Sequence, residues 1–407
     1  MTARRARANG EGSIFPYRNG YAPYVWVTKP DGTRTRKWVY GKTRDRVHDK
    51  WLLLHQRAKE GPMATRAVTV AAYLSYWLAE VVKPNLAPLT YATRETLVRL
   101  YVAPGVGAKR LDRLQVRDVQ TWLNRLSQTC QCCAQGKDAR RPSGRRRCCA
   151  IGQCCRDLPS VRTIRDIRDT LRAALSQAMA DELVNRNVAK LVKLPAQRRR
   201  KRPAWSSEHA RRFLESAKAD GDPLYAAYVL VLVLGLRKGE MLGLTEEDID
   251  LAAAELTIGR QLQRVGRQLL HRETKTAASD DTMPLPDICP TALRARLARR
   301  QHDREQAGAV WQGSQLLFTT RYGTEIEPRN FNRRWDARIA KAGVPKITVH
   351  DARRTCATLL VDLDVHPRVI MKILRHADLA VTMEIYSQAS SEATRKALKR
   401  LGESLDA

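Results

Sequence analysis

The chain has no uninterrupted apolar stretch that approaches the roughly 20 residues a membrane-spanning helix needs. Its first residues, MTARRARANG, lack the apolar centre of a secretory signal. Both absences exclude the membrane and secreted classes and make a cytoplasmic protein the expectation. Acidic residues are scarce: 42 Asp and Glu stand against 73 Lys and Arg, a formal net charge of +31. That excess on a folded chain points to a polyanionic partner, with nucleic acid the first candidate. A membrane surface is the second, but no amphipathic basic helix with bulky anchors stands out. A basic protein from an arginine-rich proteome would show the same imbalance. Cysteine is sparse outside one segment. Of the nine, Cys130, Cys132, Cys133, Cys148, Cys149, Cys154 and Cys155 crowd together, while Cys289 and Cys356 stand alone. In a reducing cytoplasm such crowding favours a metal or free thiols over disulfides.

The rest of the composition is that of a folded protein, with 43% hydrophobic and 28% charged residues over 407 positions, enough for two or three domains. The fold class expected is α+β, mostly helical. Residues 10–62 read as three short strands and a helix: turn signals at Asn19-Gly20 and Pro30-Asp31-Gly32 separate runs rich in Tyr, Val, Trp and Thr, and a helical pattern follows Thr43 up to Gly61. Arg18, Lys29, Arg34, Arg36 and Lys37 lie among aromatics in those strands, as a sheet set into a DNA groove requires. A solvated basic sheet is the competing reading. Residues 66–196 read as all-α, with a first helix broken at Pro84 and a cysteine insert at 130–155 between the third and fourth helices. The basic run from Arg198 to Pro203 reads as a linker. Residues 204–400 read as mixed α and β: an apolar helix, PLYAAYVLVLVLGL, then strand-like AELTIGR, QLLHRE and TMPLP, then helices.

Breaking a phosphodiester without a metal requires a nucleophile, cationic donors for the charge on the transition state, and an acid for the leaving oxygen. Guanidinium forks fit phosphate oxygens two at a time. The third region holds such a set in the order Arg237, Lys275, His350, Arg353, His376, Tyr386. A helix beginning near Val349 would present His350 and Arg353 on one face. Arg237 is expected to emerge at the end of the apolar helix, with Glu240 three residues on to hold it. Taken singly, each has an ordinary reading: a surface ion pair, a core histidine, a core aromatic.

Together, GLRKGEMLGL, HDARRTCATLL and LRHADLAVTMEIY resemble the first-arginine, His-x-x-Arg and His-to-Tyr boxes of the tyrosine recombinase family, specifically phage and integrative-element integrases. The resemblance runs over nearly the whole chain. It implies an N-terminal arm-type DNA-binding domain, a core-binding domain and a catalytic domain. Tyr386 would attack the scissile phosphate, leaving a 3′-phosphotyrosyl bond and a 5′-hydroxyl. Arg237 and Arg353 would clamp the non-bridging oxygens, and Lys275 would protonate the 5′-oxygen. His350 would assist proton transfer from the tyrosine, His376 would hydrogen-bond the phosphate, and Glu240 would be structural support. No cofactor is implied for the chemistry. The implied partner is double-stranded DNA carrying attachment sites, bound by a tetramer in the nucleoid, with room for a directionality factor and a host DNA-bending protein.

Departures from the family pattern are Arg375, where Gly commonly precedes the third-box histidine, and Arg354, where His is often found. Asp280 and Asp281 stand where a basic residue is frequent, which makes Arg272 the alternative to Lys275. A topoisomerase or telomere resolvase would use the same chemistry, but the separate N-terminal sheet argues against one. A catalytically silent, repressor-like DNA-binding protein of the same fold is the alternative outside enzymes. In the insert, seven thiols exceed the four that tetrahedral zinc takes, and the expectation is a structural zinc clip with its four ligands unassigned. Adjacent pairs such as Cys132-Cys133 also suit a metal-free loop, and its basic middle, KDARRPSGRRR, suits DNA backbone. The tail, with Ala393, Leu398 and Leu401 along one side, is expected to pack on a neighbouring subunit or on its own domain.

Overall fold

The computed structural model describes residues 14–28, 32–59, 61, 68–196, 203–273, 281–375 and 383. The chain divides into two compact units, Met1–Arg199 and Arg200–Ala407. The basic run at 197–202 and the C-terminal tail lie outside the described residues.

The first unit opens with two hairpins, β1 (Phe15–Tyr17) with β2 (Gly20–Ala22) and β3 (Tyr24–Thr28) with β4 (Arg34–Trp38). Four short strands replace the expected three because Pro23, which has no N–H to donate, separates β2 from β3. Tyr17 pairs with Gly20, so Arg18 and Asn19 make the first turn rather than Asn19 and Gly20; Arg18 takes the required positive φ of 51°. Cross-strand pairs Tyr24–Trp38, Trp26–Arg36 and Thr28–Arg34 set one face of the second hairpin. The opposite face buries Val25 and Val27 against Trp51 of α1 (Arg44–Lys59).

Two helical rods follow. The first is α2 (Val70–Tyr76), a wide turn at Trp77–Val82 and α3 (Lys83–Asn85); the second is α4 (Pro88–Leu97), a wide turn at Val98–Val102 and α5 (Ala103–Val106). Pro84 therefore does not break the first rod at its own position but sits in its last turn. In a regular helix a proline ring clashes with the carbonyl four residues back and leaves it without a donor. Each rod widens just before its proline: the Lys83 N–H reaches Leu78 and the Ala103 N–H reaches Val98, five residues back. Helices α6 (Val116–Gln128) and α8 (Val161–Ala180) flank the cysteine insert, which contains the single turn α7 (Gln131–Ala134). Ile164, Ile167, Leu171 and Leu175 of α8 close a core with Trp77, Val102, Val119 and Trp122.

The second unit is built around α10 (Tyr225–Val233), buried from Ala226 through Leu232, which is why its sequence is apolar on every side. Helix α9 (Ser207–Ala219) and the later α12 (Ile288–Ala307), α13 (Pro328–Ala342), α14 (Val349–Asp362) and α15 (Pro367–Leu374) complete the helical part. Trp205, Phe213, Tyr228, Phe331 and Trp335 form an aromatic cluster between α9, α10 and α13. After the short α11 (Lys238–Gly243), β5 (Ile249–Asp250), β6 (Glu255–Ile258) and β9 (Asp281–Pro284) form an antiparallel sheet in that order. Strands β7 (Arg260–Val265) and β8 (Gln268–Glu273) form a separate hairpin. A Cβ at Gly243 would lie 2.8 Å from the Gln261 backbone, so only glycine lets α11 rest directly on β7.

Candidate active site

Of the six residues singled out in the sequence, Arg237, His350 and Arg353 lie among the described residues and all three line one cleft of about 510 Å³. Lys275, His376 and Tyr386 lie outside the described residues. The alternative to Lys275, Arg272, is partly buried on β8 opposite Gln261.

Helix α14 begins at Val349, and Thr348 caps it: its hydroxyl accepts the Asp351 N–H at 3.2 Å while the Asp351 carboxylate takes the Thr348 N–H at 3.1 Å. This start places His350 in the first turn, exposed toward the cleft, and Arg353 one turn further, with 4% of its surface exposed.

Arg237 does not stand at the end of the apolar helix. Helix α10 stops at Val233, the chain turns at Gly235 with φ +60°, and Arg237 becomes the N-cap residue of α11. A side chain at Gly235 would drive its Cβ to 2.4 Å from Leu374, so the turn admits glycine alone. Glu240 grips Arg237 twice, accepting its N–H at 2.9 Å and its Nη1 at 2.6 Å.

Glu240 has a second partner that sequence reasoning missed. Arg375 is fully buried and donates Nη2 to Glu240 Oε2 at 2.8 Å. It ends α15 in the left-handed conformation, φ 50°, the position at which glycine ordinarily closes a helix. A non-glycine residue there is strained by about 1 kcal/mol, and the buried ion pair accompanies that strain. The available signal was the unusual Arg itself: a long cation where a small residue is expected needs a buried anion.

Arg353 spans the two ends of the same knot. Its Nη1 donates to the Gly235 carbonyl at 2.6 Å and its Nη2 to the Leu374 carbonyl, while Arg237 Nη2 donates to the Arg375 carbonyl at 3.3 Å. Chain segments more than a hundred residues apart are thus drawn together by guanidinium forks.

The electrostatics are unbalanced. Three guanidiniums, of Arg237, Arg353 and Arg375, surround the single carboxylate of Glu240. Burial raises the Glu240 carboxyl, but the charge of Arg375 and the hydrogen bonds of Arg237 more than offset it, leaving the group below its ordinary range. Burial first, and then the charge of Arg237, push Arg353 down to about 9. A bound anion would relieve both guanidiniums. Lys238, also unremarked in the sequence, lines the cleft, and its Nζ donates to Asn332 Oδ1 at 3.1 Å. At the same cleft Lys346 pairs with Asp336 at 3.3 Å. The arrangement can hold a phosphodiester's oxygens against fixed cations that need no rearrangement.

Elsewhere in the chain, the thiols of Cys130, Cys133, Cys148 and Cys154 lie within 4.8 Å of one another, as do those of Cys132, Cys148 and Cys155, so the insert is able to hold a metal ion. On the second hairpin, the Arg36 guanidinium lies over the rings of Tyr24 and Trp26, and Arg34 lies over Trp26. Among the described residues, no helix is long and apolar enough to cross a membrane.

Comparison with known proteins bears on the family and the fold. The phage integrase family model matches residues 206–393, and the model of the phage integrase N-terminal SAM-like domain matches residues 69–127. A tyrosine recombinase XerC-like protein of Caldanaerobacter subterraneus subsp. tengcongensis is 24% identical over 92% of this chain and 93% of its own length. The integrase of Mycobacterium phage D29 is 25% identical over 98% of both chains. Among solved structures, the Tn1549 transposon integrase in complex with circular-intermediate DNA superimposes with a TM-score of 0.64 at 20% identity, covering 82% of this chain and 99% of that one. From its boxes, its fold and these matches, the chain belongs to the tyrosine recombinase family.

Proposed function

We propose that this protein is a site-specific DNA recombinase, an integrase of a mobile element, that cuts and rejoins DNA through a 3′-phosphotyrosyl intermediate. The observation that carries the reading is the convergence of Arg237, Arg353 and His350 on one cleft, whose lining sets the charges of Arg237, Lys238, Lys346 and Arg353 against the carboxylate of Asp336. The Tyr386 oxygen attacks the scissile phosphorus, passing its proton toward His350, while the 5′-oxygen departs with a proton from Lys275. Arg237 and Arg353 hold the non-bridging oxygens, and His376 adds a hydrogen bond. Attack by a 5′-hydroxyl of another strand reverses these transfers and frees the tyrosine. The energy of the phosphodiester is retained in the phosphotyrosine, so the exchange consumes no nucleotide.

The remaining assignments belong to the same reading. The N-terminal sheet, with Arg34 and Arg36 stacked among aromatics, binds arm-type DNA sites; residues 66–196 grip the core site; residues 204–400 carry the chemistry. Four copies assemble on paired attachment sites in the nucleoid, with directionality and DNA-bending partners as accessories. A structural zinc stabilises the cysteine insert.

The test is covalent trapping. The protein is incubated with DNA flanking its own coding region and probed for adducts that survive detergent, beside Tyr386→Phe. Adducts that vanish in the variant are expected. Site-specific binding with no adduct from the wild-type protein would overturn the enzymatic reading in favour of a silent DNA-binding protein.

A further inference from the structure

The cysteine insert is folded without an apolar core. The only buried hydrophobic cluster within it consists of Cys130, Cys132 and Cys148, with Cys133 packed against them. Its large aliphatic side chain, Ile151, faces solvent at 50% exposure. Ordering a segment costs conformational entropy at every residue, and here almost no apolar burial offsets it. The sulfurs themselves must bear that burden.

Their spacing indicates how. Cys133 and Cys148 sulfurs are 3.4 Å apart and Cys130 and Cys155 sulfurs 3.8 Å apart. Both separations far exceed the ~2.05 Å of a disulfide. The edge of a tetrahedron with metal–sulfur bonds of about 2.3 Å is about 3.8 Å, which the Cys130–Cys155 separation equals and the 3.4 Å Cys133–Cys148 separation approaches from below. Four sulfurs, the number a tetrahedral site takes, lie within 4.8 Å of one another in Cys130, Cys133, Cys148 and Cys154. Cys132 and Cys155 remain, and they cluster with Cys148, which belongs to both groups. Cys130 approaches the second group at Cys155, 3.8 Å away, although it is outside the set whose sulfurs all lie within 4.8 Å of one another. Two tetrahedra that share an edge have six corners, and six sulfurs are gathered here.

We propose that the insert holds two zinc ions in one thiolate cluster, with Cys130 and Cys148 bridging them, Cys133 and Cys154 completing one site, and Cys132 and Cys155 the other. This deepens the structural-zinc assignment above and rests on it. The surroundings fit such a cluster. The Cys155 N–H donates to Cys148 Sγ at 3.2 Å, the kind of outer contact that stabilises a metal-bound thiolate. Six thiolates and two divalent ions leave two negative charges, and the insert carries Lys137, Arg140, Arg141, Arg145, Arg146 and Arg147 to meet them. Cys149, exposed and in neither group, is the seventh thiol and an internal control.

The test is metal stoichiometry on the full chain, purified without a metal-binding tag from zinc-supplemented medium, and cadmium-113 magnetic resonance after exchange. Two zinc ions per chain are expected, unchanged in Cys149→Ser. Two coupled cadmium resonances are expected through the shared sulfurs. One zinc per chain overturns the double cluster while leaving the single clip in place; no zinc ends both. Because wild-type stoichiometry decides, the proposal stays testable even if Cys148→Ser fails to fold. If that variant folds and retains two ions, the bridging role is refuted. None of these outcomes depends on recombination activity.

Discussion

Glu240 and Asp138 are both buried carboxylates that accept backbone N–H groups and an arginine, yet they stand in opposite settings. Glu240 sits on an extensive apolar core that runs from Trp205 through α10 to Phe331 and Trp335. Its two arginines are held in place by helices that would be packed without them. Asp138 has no such support. It accepts the N–H groups of Arg147, Cys148 and Ala150 at 2.9 to 3.1 Å and the Arg141 guanidinium at 2.7 Å, and around it the insert offers only sulfur. In the second unit a hydrophobic core positions the charges; in the insert the polar contacts are the core. Function in the former should fail before folding does, and folding in the latter should fail as soon as one polar contact is lost.

The largest expected effect tests the exception to that division. Glu240→Gln leaves Arg375 buried without its anion, and breaking a buried pair costs roughly 3–5 kcal/mol. Urea denaturation followed by tryptophan fluorescence should show that loss in the second unit; a change under about 1 kcal/mol would mean that the surrounding carbonyls suffice for Arg375. Next, Arg353→Lys removes the fork that joins Gly235 and Leu374. Single-turnover cleavage should fall about 10²–10³-fold, the usual cost of one transition-state donor, with DNA affinity changed only a few-fold. Equal loss in binding and cleavage would show that the arginine holds substrate and transition state alike.

Asp138→Asn should open the insert while the second unit melts as before, visible as faster amide exchange at Arg147, Cys148 and Ala150. Burial raises this carboxyl, but the Arg147 and Cys148 N–H groups, Arg141 and the Ala150 N–H outweigh it and hold it at about 2. A carboxyl depressed in the folded state contributes its stability above its unfolded value, about 3.9, and loses it as pH falls toward 2. The exchange difference between wild type and Asp138→Asn should therefore be constant above pH about 4 and close below it. A difference that persists at pH 2 would contradict the assignment. The smallest effect is expected from Cys149→Ser, within about 0.5 kcal/mol, because the side chain is exposed and outside both sulfur groups. A larger shift in thermal melting would place Cys149 in the metal cluster.

Where Arg237, His350 and Arg353 would stand was largely legible because the signals are local. Thr348 and Asp351 mark the start of α14, so the three-residue spacing of His350 and Arg353 could be placed on one helix face. The Arg237–Glu240 pair was readable for the same reason. The apolar run of α10 announced a buried helix, but not that the chain would turn at Gly235 and deliver Arg237 to the next one. The wide turns before Pro84 and Pro104 were also hidden, since periodicity assumes a regular helix and a proline reads as its end. Asp138 carried no motif, although its partners lie within 12 residues of it, while Arg375 stood out as a departure from the box but its partner, Glu240, lies 135 residues away.

The charge, most of the helices and strands, and the order of the recombinase boxes follow from neighbouring residues and could be read along the chain. The packing of distant segments settled that the Gly235 and Leu374 carbonyls would share Arg353, that Glu240 would face Arg375 as well as Arg237, and that Cys148 would belong to two sulfur groups. Such contacts join positions up to 138 residues apart. Their existence depends on how apolar faces pack and on which buried charges remain to be matched, and neither is written in any short stretch of chain.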